Sequence, residues 1–243
     1  MKKGVKRLRK DGGYSICYAD ENKVGCGKCC HVGSYVTNAQ NKLNNFFKKH
    51  GIDELDISNL IEFHSSSYIE NITKQKGAIG GSDGKRIIID EDLEFKEQII
   101  IHEVLHHKST KYVYDKNNEL HQLSGISIDG KDTQLNEAFT DYLTEQIYND
   151  KMSETAYDIN RIAFSIFAVE YSKDELIDAY FNNKPKIIKD KLDKILTFGG
   201  YDSVSNCMET VVTSDDTQEV EECTKLLAFY VNQILRRHTD EQL

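Results

Sequence analysis

The sequence predicts an α+β protein: a small, mostly antiparallel sheet with one central helix, followed by a helical C-terminal half. Residues 52–92 are dense in β-branched and aromatic side chains around a glycine-rich break, GAIGGSDGK, which is the pattern of paired strands. The isoleucine-led stretch IIIHEVLHHKST, residues 99–110, then carries polar residues at helical spacing. From about residue 133 onward apolar residues recur every three or four positions, the period of an amphipathic helix. A chain of 243 residues with 39% hydrophobic content is long enough to bury one substantial core and carry a small appendage.

Residues 1–36 form a basic, Cys/Gly-rich segment, with a boundary expected near residue 37. TNAQNKLNNFFKKHG then predicts a short helix closed by Gly51 at the position just past the helix end, where a left-handed residue is favoured. LIEFHSSSYIENI and KRIIID predict strands, and the glycines and Asp-Gly between them a hairpin. Asp90, Glu91, Asp92 and Glu94 are expected to open a helix that runs to about Lys108, acids at its start and bases at its end suiting the macrodipole. Residues 110–132 read as a loop with a polar hairpin. Helices follow in LNEAFTDYLTEQIY, ETAYDINRIAFSIFAVEY, SKDELIDAYFNN, KIIKDKLDKIL and EVEECTKLLAFYVNQILRRH, with the only proline, Pro185, in a break between two of them. The expected organisation is therefore the segment 1–36 and one domain over 37–243. Within that domain the sheet and central helix reach to about 109, and a helical subdomain starts from about 133.

The formal net charge is −9, and because the first ten residues hold six basic side chains and no acid, the remainder carries −15. Such a body is not expected to bind nucleic acid. Residues 11–25 are polar where a secretory signal would be apolar, and no apolar run is long enough to span a membrane. The expected location is cytoplasmic, with reduced thiols, export by a route needing no signal remaining open. Oligomeric state is left open by the sequence.

HEVLH, residues 102–106, carries the chemistry. Positions i and i+4 stack one turn apart on a helix, so His102 and His106 can aim both imidazoles at one point, with Glu103 about 100° round the axis. This is the spacing of two zinc ligands and a general base. A catalytic zinc wants a third protein ligand and an open position. The metzincin extension would require glycine at 109 and histidine at 112, where this chain has Ser109 and Tyr112. LNEAFTDYL offers Glu137 and, four residues on, Asp141 on one helix face: one carboxylate can bind metal while the other orients a ligand histidine. His107, one residue past His106, is expected to point away.

HEVLH followed by NEAFTD resembles the gluzincin metallopeptidases, the thermolysin-like clan, whose motifs are H-E-x-x-H and N-E-x-x-S/T-D. The resemblance covers roughly residues 86–145 and implies a zincin-like fold. It further implies one Zn2+ on His102, His106 and Glu137, Glu103 as general base, and Asp141 as the carboxylate that holds a ligand imidazole. The chain is smaller than thermolysin, and 30 residues separate His106 from Glu137, a longer insertion than in that enzyme. The implied activity is hydrolysis of peptide bonds in a peptide or protein substrate, which zincins bind as an added strand along a sheet edge; residues 77–81 are the candidate edge. An amidase on a small substrate, or a catalytically idle zinc-binding module, are the alternatives. Oxyanion donors could come from Tyr142, Tyr157, Tyr171, Tyr180, His121 or Arg161. A second ion at Cys26, Cys29, Cys30 and His31 is not expected, because no matching C-x-x-C pair follows. Cys207 and Cys223 are expected in the helical core.

Overall fold

The computed structural model describes residues 4–8, 14–18, 27–73, 78–82, 85–93, 96–148, 158–197 and 199–240. The protein is α+β, and the chain divides into two compact units, Met1–His107 and Lys108–Leu243.

In the first unit, β1 (Gly4–Leu8) and β2 (Tyr14–Tyr18) pair antiparallel. Helix α1 (Gly27–Lys49) is longer than the periodic stretch after residue 37 and passes that position without a break. Ala39, Leu43 and Phe47, one turn apart, are fully buried along it. Its end is a Schellman motif: Gly51 has φ +66°, Ile52 N–H reaches back to the Phe47 carbonyl at 2.9 Å and Gly51 N–H to Lys48 at 3.4 Å. The Gln40 side chain then clamps the returning loop, accepting from Ile57 N at 2.7 Å and donating to the Leu55 carbonyl at 2.5 Å.

A three-stranded sheet follows, with β5 (Ile87–Asp90) between β3 (Ile61–His64) and β4 (Gly80–Ser82). The expected hairpin between LIEFHSSSYIENI and KRIIID does not form: part of its glycine-rich turn is itself a strand, β4, which pairs antiparallel with β5. The sheet is not mostly antiparallel, however: β3 runs parallel to β5, and a parallel neighbour needs a crossover. That crossover contains α2 (Ser66–Thr73), a helix within LIEFHSSSYIENI where strand was expected. Three serines open it, and Ile69 is the apolar residue it buries. All four residues of β5 are buried, which fits a central strand written as a continuous apolar run. Asp90 closes this strand and does not open the next helix. Its carboxylate accepts from the Ser66 hydroxyl at 2.5 Å and from Asp92 N at 2.8 Å, and α3 spans Lys96–Ser109. Ile100, Ile101, Val104 and Leu105 on α3 are fully buried.

The second unit begins with an antiparallel sheet in the order β6 (Lys111–Tyr114), β7 (Leu120–Ser124), β8 (Ser127–Ile128), which gives the expected polar hairpin a third strand. Helices α4 (Thr133–Tyr148), α5 (Asp158–Phe167), α6 (Lys173–Phe181), α7 (Pro185–Ile195), α8 (Gly200–Thr213) and α9 (Thr217–Asp240) complete it. Pro185 sits at the first turn of α7, where its missing N–H costs nothing. Helix α4 packs on α5 and α8, and α8 on α7 and α9. Phe139 is the hub of the aromatic core, stacked on Phe164 with centroids 4.5 Å apart and edge-on to Tyr180 at 5.1 Å. Among the described residues no helix is long and apolar enough to cross a membrane.

Candidate metal centre

Helix α3 places both histidines of HEVLH one turn apart, because nothing in residues 96–109 interrupts its hydrogen-bond ladder. Their rings meet edge to face with centroids 4.7 Å apart, and His106 Nε2 lies 3.0 Å from His102 Nε2. Two imidazoles bound to one zinc at tetrahedral angles stand about 3.3 Å apart, so the pair is pre-formed to within a few tenths of an ångström. His102 is buried and His106 half-exposed. Glu103 sits beside them, half-exposed, and β4 comes close to it: a Cβ built on Gly80 would stand 2.8 Å from Glu103 Oε1 and 3.1 Å from its Cγ. The bare backbone at Gly80 is what leaves the carboxylate its room. Sequence reasoning placed the glycines of 77–81 at a substrate edge but not against Glu103. Gly80 and Gly81 do lie on β4, one of the two edge strands of its sheet among the described residues, whereas Gly77 lies outside them.

Helix α4 carries the second motif. It is buried almost all round, with Glu137 and Tyr142 the half-exposed positions of its middle turns. Its buried polar residues are paired locally. Asn136 Oδ1 accepts from Ile126 N at 2.9 Å, Thr140 donates to the Asn136 carbonyl at 2.9 Å and meets the Tyr180 hydroxyl at 2.7 Å, and Thr144 donates to the Thr140 carbonyl at 2.8 Å. The turn before β8 is fitted to this helix. Gly125, at φ +56°, has Asn136 Oδ1 only 2.1 Å from where a Cβ would be, a constraint that the sequence alone did not reveal. Asp141 is 2% exposed, a degree of burial that a carboxylate tolerates only with a donor or cation beside it.

Among the described residues, His102 and His106 turn two ring nitrogens to one point from α3, Glu137 lies half-exposed on α4, and Asp115, Glu119 and His121 bring three potential ligand atoms within 4.8 Å of one another. Two neutral nitrogens and one carboxylate oxygen, the set that His102, His106 and Glu137 would offer, match the donor set of a catalytic zinc. The hairpin group is half-exposed at Asp115 and His121 and exposed at Glu119, and Asp129 already holds His121 Nδ1 at 2.5 Å. That contact raises the His121 pKa and lowers that of Asp129. No protein-family model, curated protein or solved structure matches this chain. The site therefore rests on its own residues.

His107 is half-buried and belongs to neither group. Of the oxyanion candidates, Tyr171 donates to the Ile188 carbonyl at 3.0 Å and Tyr180 pairs with Thr140, both buried in the helical core. Arg161 is held by Glu145 and Asp158, and Tyr157 lies outside the described residues. Tyr142 and His121 keep exposed surface, and burial raises the Tyr142 pKa. Cys26 lies outside the described residues, as do the side chains of Cys29, Cys30 and His31. Cys207 is buried as expected and Cys223 half-buried, both as free thiols; burial and the neighbouring Cys223 push the Cys207 thiol up to about 12.

Proposed function

We propose that this chain is a zinc-dependent metallopeptidase of the gluzincin type, with a zincin-like catalytic fold and one ion held by His102, His106 and Glu137. The observation that carries this reading is the pre-formed pair of imidazoles on α3, Nε2 to Nε2 at 3.0 Å, with Glu103 beside them under the bare backbone of Gly80 and a second motif, NEAFTD, following in the order the resemblance requires. A bound zinc ion would supply a positive centre that polarises a carbonyl and lowers the pKa of a water from 15.7 to about 7. Glu103, one residue after a ligand, takes the proton from the attacking water and returns it to the departing amine. Asp141, kept from water, holds a ligand imidazole in one orientation through its second nitrogen. The open side of β4 receives a peptide or protein substrate as an antiparallel strand, and Gly80 presents backbone without a side chain at the catalytic carboxylate. A cytoplasmic setting with reduced thiols belongs to the same proposal.

Metal analysis and a peptide-library assay on the native chain and on Glu103→Gln test it. The variant is expected to retain about one zinc and lose about 10² or more in rate. Equal turnover by both would remove Glu103 as the base. Zinc binding without turnover in either protein would instead favour the idle zinc-binding module, and turnover confined to small amides the amidase.

A further inference from the structure

Strand β6 is the edge of its sheet, and among the described residues no strand lies on its other side. It is exposed along its whole length: Tyr112 at 59%, Val113 at 39% and Tyr114 at 68%. Natural edges are blunted by short length, lysines, proline, bulges or inward charges; this strand is four residues long and carries Lys111 at its start, but its remaining positions, Tyr112, Val113 and Tyr114, carry no charge or proline. The bond from Asp115 N to the Glu119 carbonyl at 2.9 Å, with the register Val113 to His121 and Lys111 to Leu123, fixes which groups face which way. Residues 111, 113 and 115 make the ladder to β7. The N–H and C=O groups of Tyr112 and Tyr114 therefore point to the open edge.

The sequence of that edge, KYVYD over residues 111–115, is self-complementary when reversed. Antiparallel pairing about a two-fold axis at Val113 sets Lys111 against Asp115 of the second copy and Tyr112 against Tyr114. Val113 then meets itself. In this register the outward-facing tyrosines form the hydrogen-bonded pairs, so each Tyr112–Tyr114 pair closes two backbone bonds; Lys111, whose ammonium also donates to the Phe181 carbonyl at 2.9 Å, lies across from Asp115, whose carboxylate also accepts from Asn117 N and Glu119 N at 2.8 Å, at the close, non-hydrogen-bonded positions. Shifting by one residue loses the charge match and places inward-bonded residues at the ladder. Leu120, 54% exposed, stands opposite Tyr114 on β7, so the aromatic face continues across the joined sheet. Turn bonds from the backbone N–H of Glu119 and then of Asn117 depress the Asp115 pKa, keeping its carboxylate charged.

We infer that β6 is a self-association edge, through which two copies of this chain join β6 to β6 about a two-fold axis at Val113 into one six-stranded antiparallel sheet. A ladder this short covers less than a standard interface, so the dimer is weak and depends on concentration. An isologous contact of this kind closes on itself and stops at two copies.

Sedimentation velocity on the full chain, in a series reaching about 1 mM protein, tests it together with two variants. The native chain is expected to move from monomer to dimer. Val113→Lys, which sets two ammonium groups against each other at the axis, is expected to weaken association at least about tenfold with an unchanged circular dichroism spectrum. Val113→Cys places two thiols face to face, and mild oxidation is expected to give a covalent dimer that Lys111→Cys, facing position 115, does not give. A native chain that stays monomeric throughout, a Val113→Lys chain that associates like the native one, or equal cross-linking at 111 and 113 would each overturn the inference.

Discussion

Glu103 and Gly80 form a pair that only the folded chain brings together, and they lead to the sharpest single-residue expectation. A methyl group at position 80 meets Glu103 Oε1 at 2.8 Å and both Glu103 Cγ and the buried Ile99 Cγ2 at 3.1 Å; the carboxylate end can swing away, while the other two contacts must give by a few tenths of an ångström. Gly80→Ala should therefore keep its zinc, with a small drop in melting temperature, while lowering kcat/KM by about tenfold or more, since a displacement near 1 Å in a reacting group can cost about 10²-fold. An unchanged kcat/KM would place the working carboxylate elsewhere. Asp141→Ala differs in kind. If Asp141 orients a ligand imidazole, zinc affinity measured by chelator competition should fall about 10- to 100-fold, whereas unaltered affinity would return this residue to a structural role in α4. The two variants separate positioning of the base from positioning of the metal.

Among the elements, the most legible were those whose signals are local. Gly51 ends α1 with φ +66° because glycine reaches that region without strain, and Pro185 starts α7 for the reason any helix accepts proline there. The capping box of α6 is equally local: Ser172 accepts from Glu175 N at 3.2 Å, and Glu175 accepts from Ser172 N at 2.8 Å. Ser172→Ala should thus cost about 1 kcal/mol of stability in urea unfolding; a loss below a few tenths would mean that packing alone holds the helix start. Less legible was whatever depends on partners distant in sequence. SSSYIENI reads as strand by composition, yet it forms α2 because β3 and β5 lie parallel and need a crossover. Asp90 reads as a helix opener, yet its carboxylate binds Ser66, 24 residues earlier. Helix α8, GYDSVSNCMETVVT, is absent from the periodic segments because its β-branched residues blur the helical signal. It is fixed by packing on α7 and α9. The candidate site was legible in the same measure: i,i+4 spacing set His102 and His106 side by side on α3, the second motif offered Glu137 and Asp141 as its carboxylates, and the close approach at Gly80 and Gly125 needed the chain around them.

At the scale of the whole molecule, the proposed centre links metal to stability. The ligand atoms come from positions separated by a sheet and a helix start in the sequence, so an unfolded chain holds no comparable site and the ion binds the folded state. Binding confined to the folded state stabilises it by RT ln(1 + [L]/Kd), about 2.7 kcal/mol at a free zinc concentration one hundred times Kd. Removing metal with a chelator should therefore lower the melting temperature by several degrees, and adding back one equivalent of zinc should restore it. The same treatment should leave Glu137→Ala almost unmoved, because that chain lacks the carboxylate ligand, while Glu103→Gln should respond like the native protein. A native chain that melts at the same temperature with and without chelator, at full zinc loading beforehand, would separate the metal from the fold. A Glu137→Ala chain that still gains the full shift would show that a different carboxylate completes the site, and the choice between Glu137 and Asp141 as the third ligand would then be reversed.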